Sequence, residues 1–264
     1  MLDFLMQIPP IWMAVIATTF TWGVTALGAA TVFFFKTVNR KVLDLMMGFS
    51  AGVMIAASFW SLLAPAIELS ETLGYISWLW PAVGFAVGGF FVILASKLLD
   101  KAIKLKDEAQ GKSLKRSIML VSSITLHNIP EGLSVGVAFG AFALGVPGCE
   151  SVGAFLLALG IGIQNFPEGV SVALPLRREG MGRGKAFFYG QASGVVEPIA
   201  AIIGFYLATL MRAFLPFALA FSAGAMISVV CSELIPEANE HKNLAVIGSI
   251  VGFLVMMVLD VALG

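Results

Sequence analysis

The chain reads as long apolar stretches cut by short polar connectors. Stretches long enough to cross a bilayer fall at roughly 11–35, 45–67, 77–99, 117–146, 151–176, 184–210, 214–236 and 244–262. Eight such stretches predict an all-α, polytopic membrane protein forming one transmembrane unit over residues 1–264. Helices 1–3 occupy about 11–99, a connector about 100–116, helices 4 and 5 about 117–176, and helices 6–8 about 184–262. Asp3 and no basic segment precede the first stretch, which is longer than a signal-peptide core, so it is expected to remain as a helix.

The polar residues between the stretches orient the bundle. With eight spans, all but Arg212 of the 16 basic residues fall in connectors on one side, including Lys36, Arg40, Lys41, the run from Lys97 to Arg116, Arg177 to Lys185, and Lys242. That bias predicts that this side is cytoplasmic and that both termini lie outside, as in a bacterial inner membrane. Composition agrees with lipid as a solvent: 59% of residues are hydrophobic and only 12% charged. The formal net charge is zero, which removes nucleic acid as a partner. Cys149 and Cys231 do not form a disulfide framework. A homodimer is left open.

The acidic residues break the apolar pattern. Glu131, Glu168, Glu197 and Glu233 fall inside spans, Asp260 near the end of the last, and no Lys or Arg sits at matching depth. A charge at the bilayer centre costs about 2.5–3.5 kcal/mol even on lenient scales. Several such acids are neutralised by protons or share cations, and four together favour a cation path.

Two internal repeats shape that path. His127-Asn128-Ile129-Pro130-Glu131-Gly132-Leu133-Ser134-Val135 in helix 4 matches Gln164-Asn165-Phe166-Pro167-Glu168-Gly169-Val170-Ser171-Val172 in helix 5. Adjacent spans run antiparallel, so the copies are related by a two-fold axis in the membrane plane and their polar groups converge at mid-depth. A weaker repeat links Phe49–Ile55 in helix 2 to Phe221–Ile227 in helix 7; after a one-residue slip, Ser61, Leu63 and Pro65 match Ser232, Leu234 and Pro236. Helices 1–3 and 6–8 therefore read as inverted halves around the 4–5 pair, a 3+2+3 arrangement typical of transporters.

His127 and Glu131 share a face of helix 4, with Asn128 beside them; Gln164, Asn165 and Glu168 repeat the set in helix 5. Pro130 frees the carbonyl of Leu126, and Pro167 that of Ile163. In lipid, a broken helix is tolerated only where the loosened backbone is buried or lines a cavity. Helix 6 can add Glu197, followed by Pro198, and Gln191. One nitrogen among many oxygens suits Zn²⁺, Fe²⁺ or Mn²⁺, with Cd²⁺ as a mimic, and two carboxylates could bridge two ions. Glu233 fits a ligand, a proton relay or a structural group; Met54 and Met226 read as packing. The chain is read as a transporter with the metal as cargo, without a prosthetic group. An intramembrane zinc hydrolase would want more histidines than His127 and His241 supply. A proton-coupled carrier for another substrate is the second rival.

The His127-Asn-x-Pro-Glu-Gly and Gln164-Asn-x-Pro-Glu-Gly segments, with Glu197-Pro, resemble the ZIP family of divalent metal transporters, especially its bacterial members. The resemblance implies inward movement of Zn²⁺ and related ions and a binuclear site on His127, Asn128, Glu131, Gln164, Asn165, Glu168 and Glu197, with Glu131 and Glu168 bridging. It places Met54 where a helix 2 methionine approaches the metal, and Glu233 on the exit side. It also implies an elevator-like motion of helices 1, 4, 5 and 6 against 2, 3, 7 and 8. The chain departs from the family pattern at Gln164-Asn165, in a Lys101–Arg116 segment without histidine, and at Ser232 before Glu233.

Overall fold

The computed structural model describes residues 8–35, 39–105, 112–146, 148–178, 180–210, 212–238 and 240–263. Eight long helical segments run through them: α1 (Pro10–Phe33), α2 (Arg40–Thr72), α3 (Leu79–Leu105) and α4 (Lys112–Ala143), then α5 (Ser151–Arg178), α6 (Arg183–Leu210), α7 (Leu215–Leu234) and α8 (Lys242–Leu263). A last turn, Ile235–Glu237, extends α7. No strand occurs among the described residues, and both cysteines are free.

Seven of the helices are long and apolar enough to cross a membrane. The other, α4, opens with Lys112, Lys115 and Arg116 and carries His127, Asn128 and Glu131 midway. Large apolar side chains cover the outside in stripes at helical spacing, such as Ile199, Ile203 and Leu207 on α6 and Ile250, Leu254 and Val258 on α8. An apolar surface of this extent belongs in hydrocarbon: the chain is an integral membrane protein. The core helix is α5, with 72% of its most apolar window buried, against 17% for α8.

The helix ends differ most from the sequence expectation at α2, which spans Arg40–Thr72 against about 45–67, and around the connector between α3 and α4. The connector expected at about 100–116 is shorter, because α3 continues to Leu105 and α4 begins at Lys112. Lys and Arg are good helix formers and keep their charges in water on long stems, so helix outlasts the apolar stretch on both sides.

Glycines decide which helices meet. A Cβ on Gly48 would sit 2.0 Å from the carbonyl oxygen of Ala245, and one on Gly252 would sit 2.1 Å from that of Phe49, so α2 and α8 touch backbone to backbone. Gly88 against Phe221 and Gly224 against Phe85 bind α3 to α7 in the same way. Gly136 against Ala201 and Gly204 against Leu133 join α4 to α6; Gly28 against Phe166 and Gly169 against Thr25 join α1 to α5. Small residues spaced by four let membrane helices approach this closely, and dispersion then replaces the hydrophobic drive that lipid removes. An inversion exchanging helices 1–3 with 6–8 and 4 with 5 carries the α1–α5 pair onto α6–α4 and the α2–α8 pair onto α7–α3. The contacts thus obey the symmetry that the repeats predict.

Both α2 and α7 widen into a π-helical turn, at Ser58–Leu63 and Val230–Leu234. Pro65 and Pro236 follow, and neither can donate to the carbonyl one turn back. The turn in α2 has six residues and that in α7 five, which accounts for the one-residue slip between the repeats.

Gly136→Ala is expected to lower thermal stability in detergent by about 1–3 kcal/mol, because the new methyl meets the Ala201 carbonyl. Gly153→Ala, on an α5 site with nothing within 4 Å, is expected to be neutral or stabilising by up to about 1 kcal/mol. Equal midpoints for the two variants would refute the assignment of close packing to the α4–α6 seam.

Candidate metal centre

The two prolines of the repeated motif lie inside continuous helices, Pro130 in α4 and Pro167 in α5. Around them Asn128, Glu131, Gln164 and Asn165 are fully buried, as are Glu197 on α6 and Thr21 on α1; Glu168 is 3% exposed. The polar groups therefore point into the bundle and away from the surrounding hydrocarbon.

The hydrogen bonds have a common sense. Gln164 Nε2 donates to Glu131 Oε1 at 2.6 Å. Asn165 Nδ2 donates to Glu197 Oε1 at 2.9 Å and to the Thr21 carbonyl at 3.2 Å. Asn128 Nδ2 donates to the Ser193 carbonyl at 2.9 Å. Each amide spends its N–H₂ on the protein. Their carbonyl oxygens, Asn128 Oδ1, Gln164 Oε1 and Asn165 Oδ1, are buried without a hydrogen-bond partner among the described residues, as are Glu131 Oε2 and Glu168 Oε2. Leaving each of these five buried acceptors unsatisfied costs about 1–3 kcal/mol.

The three carboxylates also act on one another. Glu168 and Glu197 both lie close enough to Glu131 to repel it, and Glu168 repels Glu197. None of the ion pairs among the described residues involves them. At low dielectric this arrangement requires positive charge or protons at the centre. Among the described residues no three His, Cys, Asp or Glu side chains are grouped so as to hold a metal ion by themselves.

Local structure brings Glu197 into register. Helix α6 tightens to a 3₁₀ turn at Ser193–Val195 before Glu197, and Pro198 leaves the Gly194 carbonyl without its helical donor. A Cβ on Gly194 would lie 3.1 Å from Glu197 Oε1 and 3.2 Å from Thr25 Oγ1, so glycine keeps α1 and the carboxylate close. Thr21 Oγ1 donates to Glu197 Oε2.

The structure gathers six of the nine residues expected from sequence: Asn128, Glu131, Gln164, Asn165, Glu168 and Glu197. His127 lies on α4 one turn before Glu131, and its side chain lies outside the described residues. Met54 is fully buried on α2, one turn beyond Ser50, whose hydroxyl donates to the Gln164 carbonyl at 3.3 Å. Glu233 is half-buried in the π turn of α7. Gln191 is held by the Trp22 indole, which donates to its carbonyl at 2.9 Å and to Oε1 at 3.1 Å. Asp260, expected at the membrane interface, accepts from Ser61 in the π turn of α2 at 2.7 Å. Sequence reasoning missed Thr21. Its signal was a buried threonine stripe, Thr18, Thr21 and Thr25, in an otherwise apolar helix.

An inverted helical bundle with an oxygen-lined centre defines a polytopic membrane protein of the transporter type. A family model described as ZIP zinc transporter matches residues 104–260. Zinc transporter ZIP11 of Xenopus tropicalis is 41% identical over 97% of this chain and 98% of its own. Zinc transporter GufA of Myxococcus xanthus is 35% identical over 94% of this chain and 98% of its own. Zinc transporter ZIPB of Bordetella bronchiseptica is 35% identical over 95% of this chain and 81% of its own. The chain belongs to the ZIP zinc transporter family. These relatives are named as transporters, not as enzymes.

Thr21→Val removes the hydroxyl that holds Glu197 while nearly keeping its volume. Metal-free protein carrying it is expected to lose about 1–3 kcal/mol of stability, read as a lower unfolding midpoint. An unchanged midpoint would show that Thr21 does not hold the carboxylate.

Proposed function

We propose that this protein carries Zn²⁺, with Cd²⁺, Fe²⁺ and Mn²⁺ as further cargo, across the cell membrane into the cytoplasm through a site between α4, α5 and α6. The observation that carries the reading is that all three amides spend their N–H₂ on the protein, while their oxygens and one oxygen each of Glu131 and Glu168 stay buried without a hydrogen-bond partner among the described residues. The ligands are His127, Asn128, Glu131, Gln164, Asn165, Glu168 and Glu197. Glu131 and Glu168, from the two copies of the motif, bridge two ions.

The chemistry fits a passing ion better than a resident one. Neutral amide oxygens bind a borderline divalent ion more weakly than thiolates or imidazoles do, so the ion can leave again. The carboxylates supply the charge that replaces its hydration shell. Met54 on α2 flanks the approach, and Glu233 in the π turn of α7 receives the ion on its way out.

Packing supports relative motion of two halves. Every backbone-to-backbone glycine contact described above falls within α1, α4, α5 and α6 or within α2, α3, α7 and α8. Between the halves, the close approach of Gly160 is to the flexible Met256 side chain. An interface of side chains slides at lower cost than one of interlocked backbones. The site-bearing half moves against the other and exposes the ions first to one face and then to the other. The basic connectors support a cytoplasmic exit and both termini outside.

Radiolabelled zinc uptake by proteoliposomes tests this directly. Glu131→Ala and His127→Ala variants that fold normally are expected to lose at least about tenfold in initial rate. Wild-type rates in both would remove these residues from the path. Excess unlabelled Cd²⁺ is expected to compete strongly, and Mg²⁺ not at all.

A further inference from the structure

A second constellation lies at the end of the bundle that carries the basic connectors, away from the central amides. Asp44, in the second turn of α2, is fully buried. Its Oδ2 accepts from the backbone N–H of His241 at 2.8 Å and lies 2.8 Å from Nδ1 of the same ring. Its Oδ1 faces Arg40 Nε at 3.1 Å. Arg40 Nε also lies 3.6 Å from Glu240 Oε1, and the Glu240 side chain is 64% exposed. His241 immediately precedes α8, so the cluster ties the start of α2 to the turn between α7 and α8.

Ion pairing alone explains Arg40 and Asp44. It does not explain the histidine, whose ring is fixed at both its backbone and Nδ1 by one buried carboxylate while its side chain stays 35% exposed. With Nδ1 held against the Asp44 carboxylate, Nε2 is the ring nitrogen left for another partner. Histidines that ligate metals are held in this way. Glu240 is the neighbouring residue in the same turn, and its carboxylate lies 3.6 Å from Arg40 Nε. With His241 neutral, Asp44, Glu240 and Arg40 sum to a single negative charge. Lys41 and Lys242 are exposed, so water and salt screen their repulsion of a cation.

We propose that His241 Nε2, with Glu240 and solvent waters, forms a second divalent-cation station on the protein surface, with Asp44 as the positioning residue. One imidazole and one carboxylate select a borderline ion such as Zn²⁺ over Mg²⁺, and two protein ligands hold it weakly enough to exchange. The assignment stands apart from the transport site: it concerns the half built from α2, α3, α7 and α8, and it holds whether or not the central site moves metal.

The chain has two histidines, so His127→Ala leaves His241 as the sole imidazole. Diethylpyrocarbonate acylates a free imidazole nitrogen, and its rate on that variant reads the state of His241 alone. Zn²⁺ at about 100 µM is expected to slow the reaction at least about fivefold, with full recovery on adding a chelator. Protection should persist when Glu131→Ala is added. Glu240→Gln, at an exposed position that leaves folding intact, should weaken it. Asp44→Asn should raise the Zn²⁺ needed about tenfold through loss of ring orientation. A rate unaffected by 1 mM Zn²⁺, about tenfold above that level, would overturn the proposal. So would protection that disappears with Glu131→Ala, because the effect would then originate at the bundle centre. A ring inert to the reagent without Zn²⁺ would also overturn it, since Nε2 would not be free.

Discussion

Burying three carboxylates together, with no ion pair to any of them among the described residues, is the constraint that organises this molecule. Glu131, Glu168 and Glu197 repel one another inside a helical bundle in which no described ion pair relieves them. In a soluble protein water would enter or a lysine would be recruited. Here the sequence puts nearly all its basic residues in the connectors and fills the space around the acids with amides. Gln164 and Asn165 each donate to a carboxylate, which steadies it without neutralising it. The unpartnered oxygens that remain are the feature on which the proposed cation path rests.

The rest of the architecture delivers those groups to one depth. The antiparallel copies on α4 and α5 bring two glutamates in from opposite directions. Glycine seams let α6 lie against α4 and α1 against α5, so Glu197 and Thr21 reach the same place. A methyl group on Gly132 would come within 2.3 Å of the Glu197 carbonyl. The residue after Glu131 therefore decides whether Glu197 can approach at all. The π turns of α2 and α7 are the corresponding loosened segments of the other half, where Ser61 and Glu233 sit.

Much of this was legible in the residues because lipid leaves few solutions. A span needs about twenty apolar residues, so the eight helices and their order follow from hydropathy, within a turn or so at each end. The duplicated Asn-x-Pro-Glu-Gly segment gave the two-fold relation, and burial of Asn128, Glu131, Gln164, Asn165 and Glu168 follows from it. What escaped depends on rotation about a helix axis or on three-dimensional partners. Thr21 looked like Thr18 and Thr19, whose hydroxyls return to their own helix; its hydroxyl also lies 3.0 Å from the Thr18 carbonyl, and only the packing of α1 brings it to Glu197 as well. Gln191 had the right chemistry, but Trp22 claims it. Asp260 sits one turn from the end of its span, and its partner Ser61 lies on a different helix, which the chain pattern does not reveal. Gly132, Gly136 and Gly140 recur every four residues, a spacing that favours close packing but does not specify α6 as the partner.

Anomalous diffraction from crystals grown with Cd²⁺ tests the central claim most directly, because it locates the ion without relying on flux. The account predicts anomalous peaks between α4 and α5, within coordination distance of both Glu131 and Glu168, about 2.0–2.5 Å from their oxygens. Peaks found only at the protein surface, in protein that still takes up zinc, would contradict it.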